Sequence, residues 1–182
     1  MSNKYKFKDQ TKLYFVTLTV VYWIDVFLRN EYKNLFLDEV RHSQKGKGLE
    51  VYAWVIMTSH IHMIIGTKDM NMENIMRDLK GKTSKQLNKL IKNNVQESRR
   101  EWMLWLMERA GKRNSQNVNF QFWYQDSHPI ELFDNEIMQQ KLDYIHNNPV
   151  EAGFVDSGEQ WLYSSARDYC GIKGLLDIEL IK

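Results

Sequence analysis

His60 and His62, in the run SHIHMII, are the residues whose type and spacing best suit chemistry. The composition around them is that of a strand, and successive strand side chains point to opposite faces. The two imidazoles therefore project side by side from one face, while Ile61, Met63 and Ile65 fall on the other. A neutral imidazole offers one nitrogen lone pair, and a pair at i, i+2 can hold a divalent ion when a third donor arrives from elsewhere in the fold. The spacing alone is a weak signal. With five histidines in the chain, an exposed strand pair is the commoner meaning of such a motif.

The segment EIMQQKLDYIHNNPV offers both a third donor and a nucleophile. Wound as a helix at about 100° per residue, it gathers Met138, Leu142 and Ile145 into an apolar stripe. Tyr144 lies about 120° to one side of that stripe and Asn148 about 40° from Tyr144, with Lys141 on the same flank. If the helix persists to Asn148, phenol and amide stack one turn apart. Pro149 opposes this, because the residue before a proline avoids the α region, and the sequence predicts a helix ending near Asn147. The ordinary meaning of Tyr144 is a tyrosine at a core margin, and that of Asn147 and Asn148 is helix termination. His146 falls on the opposite flank and His128 in the turn SHP, so neither is assigned to the site.

The elements that must position these groups follow from local pattern. Residues 13–21 (LYFVTLTVV) read as a strand, with Thr17 and Thr19 alternating against Phe15, Leu18 and Val20. The apolar stretch 13–28 is interrupted by Thr17, Thr19 and Asp25 and is shorter than the roughly 20 residues a membrane helix needs, so it is expected to be buried and not a signal or membrane segment. A helix over 31–41 is predicted to dissolve into SQKGKG. Residues 49–57 and 60–67 form a hairpin turning at Thr58 and Ser59. Helical spacing begins at Asn71 with Met72, Ile75, Met76 and Leu79, resumes after Gly81 through Leu87, Leu90 and Ile91, and recurs over 97–109. A strand over 120–124, a turn over 126–129 and a short run over 130–133 precede the last helix, which is capped by Asp134. No repeat or linker divides the chain, so one domain over 1–182 is expected, with a tail from about 153. The element order implies an α+β fold with a mainly antiparallel sheet.

Across 182 residues, 43% of them hydrophobic, there is enough apolar material for a core, which excludes collagen, disulfide-scaffold and disordered classes. A single cysteine, Cys170, permits neither an internal disulfide nor a cysteine metal cluster and suits a reducing, cytoplasmic setting. The net charge of +2 is polarised along the chain: +3 over residues 1–77, +6 over 78–113 and −7 over 125–182. Lys80, Lys82, Lys85, Lys89, Lys92, Arg99 and Arg100 are candidates for backbone phosphate contacts, against the alternative of a solvated helix face. Trp102, Trp105, Trp123 and Trp161 could stack on unpaired bases, but at most one of them is expected to do so. The acidic C-terminal third is expected to face away from nucleic acid.

The runs VIMTSHIHMII, DYIHNNPVEAGFV and WLYSSARDY together resemble the HUH single-tyrosine transposases, in particular the REP-associated tyrosine transposase branch of the IS200-like transposases. The likeness covers most of the chain. It is loose at the charged opening SNKYKFKD, and the segment 93–119 is longer than in compact relatives. The resemblance implies a ferredoxin-like fold with helices packed on one face of the sheet. It places the metal-binding histidines at His60 and His62, the polar helix ligand at Asn148 and the nucleophile at Tyr144. It further implies Mg2+ or Mn2+, single-stranded DNA with a hairpin as substrate, a 5′-phosphotyrosine intermediate, no membrane partner and nucleoid association when DNA is bound. Homodimer and monomer both remain open. Lys141 is an additional candidate for assisting the phenol or contacting DNA. Two other readings stand beside this enzyme: a non-catalytic nucleic-acid-binding module on the same fold, and a metal-dependent hydrolase of small phosphoesters in which water attacks.

Overall fold

Strand β1 (Tyr14–Thr19) alternates as its sequence suggests, burying Tyr14, Val16 and Leu18 toward one face and Phe15 toward the other. In the computed structural model, which describes residues 7–68, 71–114, 119–125 and 127–181, β1 is followed by two short 3-10 turns at Val21–Trp23 and Val26–Leu28 and by helix α1 (Asn30–Lys47). Strands β2 (Leu49–Ile56) and β3 (His60–Thr67) make the expected hairpin, with a bulge between Val51 and Ala53. Helices α2 (Met72–Asn93) and α3 (Arg100–Lys112) lead to β4 (Ile130–Glu131), and α4 (Asn135–Glu151) completes the main elements. The sheet order is β2-β3-β1-β4 with every pairing antiparallel. That order, with α1 and α2 as the two crossovers, is the ferredoxin-like arrangement.

The two faces of the sheet are covered by different parts of the chain. Val16, Leu18, Trp54, Ile56, Ile61, Met63 and Ile65 pack with residues of α1, α2 and α3. Phe15, Ala53, Val55 and Ile64 pack instead with Leu142 and Ile145 of α4. The expectation of helices on one face therefore holds for the crossovers and is corrected for α4, which lies on the opposite side. The reason is the amphipathic character of α4 itself: its apolar stripe needs a partner, and the sheet's second face is the apolar surface left to cover.

Several element boundaries differ from the sequence expectation. Helix α1 does not dissolve at SQKGKG; it continues to Lys47, with Val40 and Ser43 buried, and ends at Gly48 in the left-handed region at φ 67°. Helix α2 runs unbroken through Gly81, because Leu79, Thr83 and Leu87 keep one buried face on either side of it. Helix α3 begins at Arg100 and not at residue 97, where Glu97 is buried in the preceding turn. The predicted strand over 120–124 is reduced to a single bridge between Val20 and Trp123. The tail pairs with β2: Ile56 N donates to Tyr163 O at 2.9 Å and Ser165 N to Trp54 O at 2.9 Å. This pairing accounts for the run WLYSS, whose two serines are fully buried. Residues 1–6 of the charged opening, 115–118 of the long segment and Asp126 of the predicted turn lie outside the described residues. Among the described residues, no helix is long and apolar enough to cross a membrane.

Candidate active site

Strand alternation and register together build the site. His60 and His62 lie on the α4 face of β3, opposite Thr19 and Thr17 of β1. Their rings are 4.8 Å apart between centroids, with His62 buried at 5% exposure and His60 half-buried. Thr17 Oγ1 lies 2.9 Å from His62 Nδ1, and Phe15 stacks on the same imidazole at 5.3 Å. A proton on Nδ1 donated to Thr17 leaves the Nε2 lone pair facing α4. Ser59 Oγ, in the hairpin turn, stands 3.2 Å from His60 Nδ1.

Helix α4 delivers the other groups. Asp134 caps it by accepting from Ile137 N at 2.7 Å, and burial of Leu142, Ile145 and Pro149 seats the helix on the sheet. Its helical path continues through Asn148 and Pro149 to Glu151, past the predicted end at Asn147. A proline this close to the terminus removes one backbone donor in the last turn, and packing of its buried ring outweighs the local preference of Asn148. Tyr144 Oη consequently lies 3.4 Å from His62 Nε2, while the Asn148 side chain, one turn on, stands beside His60. Tyr144 remains 40% exposed. The half-buried Lys141 holds its ammonium 5.1 Å from the Phe15 ring centroid and 5.8 Å from that of Tyr144.

Burial, the His60 imidazole and the Lys141 ammonium together push His62 down to about 3, so it is neutral at physiological pH. Burial also lowers His60, against the opposing influence of the Asn148 side chain and the Asp25 carboxylate. Both rings can thus present lone pairs. Among the described residues there is no cluster of three His, Cys, Asp or Glu side chains, and the Asn148 amide beside His60 is a candidate third donor. Two imidazole nitrogens with the Asn148 carbonyl oxygen make a donor set that suits a divalent ion and leaves positions open.

Four sequence-selected residues, His60, His62, Tyr144 and Asn148, are brought together, with Lys141 beside them. The basic segment is not. Lys80, Lys82, Lys85 and Lys89 belong to α2, packed on the other face of the sheet. Lys80 Nζ donates to the carbonyls of Tyr124 and Gln125 at 2.9 and 2.7 Å, and Lys82 sits 4.0 Å from Glu39. Arg99 binds Glu97 and the Asp25 carbonyl, and Arg100 pairs with Glu101. Lys85 and Lys89 are exposed. Trp123 is buried and the Trp161 indole donates to Ile56 O, whereas Trp102 and Trp105 are exposed on α3. His146 bonds Ser165 Oγ at 2.9 Å, and burial pushes it down to about 4.

Three neighbours of the site escape sequence reading. Thr17 becomes visible only through the β1–β3 register. Asp25 and Trp23 come from the turns after β1, with the Trp23 ring 5.4 Å from that of His60. A cleft of about 470 Å³ between α2 and the segment after α3 contains none of the four grouped residues.

Fold and cluster together define an antiparallel α+β protein with a histidine pair and a solvent-accessible tyrosine on facing elements. The family model for IS200-like transposases matches residues 11–108, more than half of the chain, and the chain belongs to that family of DNA-transposing enzymes. The matched region includes both histidines and ends before α4. A solved structure of a REP-associated tyrosine transposase bound to a REP hairpin is similar over 100% of this chain and 95% of its own, with TM-score 0.66 and 17% identity. That likeness bears out the ferredoxin-like fold. No curated protein matches the sequence.

Proposed function

We propose that this protein nicks and rejoins single-stranded DNA near a hairpin, with Tyr144 as nucleophile and His60, His62 and Asn148 holding Mg2+ or Mn2+. The observation that carries the reading is the 3.4 Å approach of Tyr144 Oη to His62 Nε2, with Asn148 beside His60. When bound, the ion would neutralise a non-bridging phosphate oxygen and orient the phosphorus for attack. Tyr144 Oη would attack the phosphorus, forming a phenolic ester to the 5′ side while the bond to the 3′ oxygen breaks. The phenolic proton leaves and the 3′ oxygen gains one, so that a 3′-hydroxyl is released. Because the ester keeps the phosphodiester bond energy, attack by another 3′-hydroxyl rejoins DNA and frees the phenol. Attack by a phenol oxygen is helped when its developing negative charge is stabilised. The nearby cationic Lys141 favours developing phenolate charge.

The tyrosine and histidines belong to the same chain, which supports a site complete in one protomer. The test is a hairpin-bearing single-stranded oligonucleotide incubated with manganese and resolved under denaturing conditions. A covalent adduct is expected from the native chain, and none from Tyr144→Phe. An adduct of undiminished yield from Tyr144→Phe assigns the nucleophile elsewhere. Binding without any adduct from the native chain favours the non-catalytic module, and release of free 5′-phosphate favours water as attacking group.

A further inference from the structure

Tyr22 and Trp23 occupy the turn directly after β1, and both have φ 55°, the left-handed region that L side chains rarely adopt. The surrounding structure over-determines this turn. Val21 N donates to Phe122 O at 2.8 Å, Trp23 N to Val20 O at 3.0 Å and Tyr22 N to Tyr124 Oη at 3.3 Å. Arg99 secures its far side through the Asp25 carbonyl at 2.8 Å. Val21 and Ile24 are buried, yet the two aromatic rings between them are turned outward, Trp23 to 58% exposure. An indole so exposed forgoes the burial that ordinarily justifies its size.

The position of the turn gives that exposure a purpose. On one side Trp23 meets His60. On the other, Tyr22 joins Tyr124, Arg113, Asn114 and Gln121 around a cleft of about 410 Å³ at the end of α3, whose lining among the described residues holds one guanidinium and no carboxylate. The volume lies within the roughly 300–1,000 Å³ typical of small-ligand sites. The +6 segment, on α2 and α3, covers the sheet face opposite the histidines. The turn thus sets one aromatic ring beside His60 and the other at the end of the basic helix α3.

Resting on the nicking function above, we propose that the Trp23 indole stacks on the base beside the phosphate held at His60 and Tyr144, and that the Tyr22–Tyr124–Arg113 cleft receives the next unpaired nucleotide. Stacking of this kind tolerates any base, since every base has a π face. Arg113 meets the phosphate of that second nucleotide.

The experiment uses the full chain and a hairpin oligonucleotide with a single-stranded thymidine flank, in which 2-aminopurine replaces one nucleotide at a time. With the native protein, binding is expected to quench the fluorophore at one position near the cleaved linkage. Trp23→Ala restores emission at that position and weakens binding about 5- to 100-fold. Trp23→Phe keeps most of the affinity and adduct yield, which a packing role confined to the indole would not predict. Emission and affinity unchanged by Trp23→Ala, while the native chain still binds and forms the Tyr144 adduct, overturn the stacking proposal alone. Neither binding nor adduct from the native chain overturns the nicking function and this inference with it.

Discussion

At the scale of single residues, Thr17 is the least conspicuous part of the site and one of its main supports. Its hydroxyl, 2.9 Å from His62 Nδ1, holds the ring orientation that turns Nε2 toward Tyr144. Groups in this position behind a ligand typically change metal affinity or activity by about 10- to 100-fold when removed. Thr17→Val, which keeps the shape of the side chain, is therefore expected to lower manganese affinity and adduct rate by that order. Thr17→Ser should retain both. Isothermal titration with manganese and single-turnover adduct formation measure the two effects, and equal behaviour of the valine variant and the native chain would refute the role. The histidine pair is recognisable by type and spacing, since i, i+2 on a strand is a local relation, whereas the stacking of Asn148 on Tyr144 needed the packing that carries α4 through Pro149. Thr17 is not recognisable in that way, because its relation to His62 spans two strands.

At the scale of elements, the start of α1 and the α2–α3 connection are joined by one buried carboxylate. Glu97 receives Arg29 Nε at 2.9 Å and Arg99 Nε at 3.0 Å, close to the Tyr32 hydroxyl. Burial alone would raise its pKa, but the hydrogen bonds from Arg99 and Arg29 prevail and hold it at about 2. Its folded value lies below its unfolded value of 4.5. The stabilisation is thus present above about pH 4.5 and is lost as pH falls toward 2, amounting to about 3 kcal/mol. Urea midpoints measured against pH should decline through that window in the native chain. Glu97→Gln should lower the midpoint at neutral pH and flatten the decline, and a parallel curve would refute the assignment. The element boundaries that local pattern misplaces have a related cause. Helix α1 past SQKGKG, α2 through Gly81 and α4 through Pro149 all continue because a buried face outweighs weak local helix formers.

At the scale of the whole molecule, charge and site are separated by the sheet. The acidic C-terminal third, expected from its charge to face away from nucleic acid, contains α4 and with it Tyr144. The basic helices lie behind the sheet, so binding and chemistry are expected to respond to different substitutions. In a single-stranded complex, each phosphate neutralised by a lysine or arginine adds about 0.7 to the slope of log affinity against log salt. Lys85→Gln and Lys89→Gln, both exposed on α2, should each flatten the slope by about that amount. At saturating oligonucleotide, adduct yield should be unchanged. Fluorescence anisotropy across a salt series reads the slope, and no change for either lysine would place the phosphate path elsewhere.

The sequence by itself determined most of the strand and helix types, the hairpin and the shared face of His60 and His62. All of these are set by periodicity within a few residues of chain. Only the tertiary structure decided that α4 covers the second face of the sheet, that Thr17 stands behind His62, and that Trp23 flanks His60. It also decided that Lys80 and Arg99 serve neighbouring carbonyl and carboxylate groups. The physical reason is that strand register and helix docking depend on burial shared between segments tens of residues apart, which no local pattern encodes.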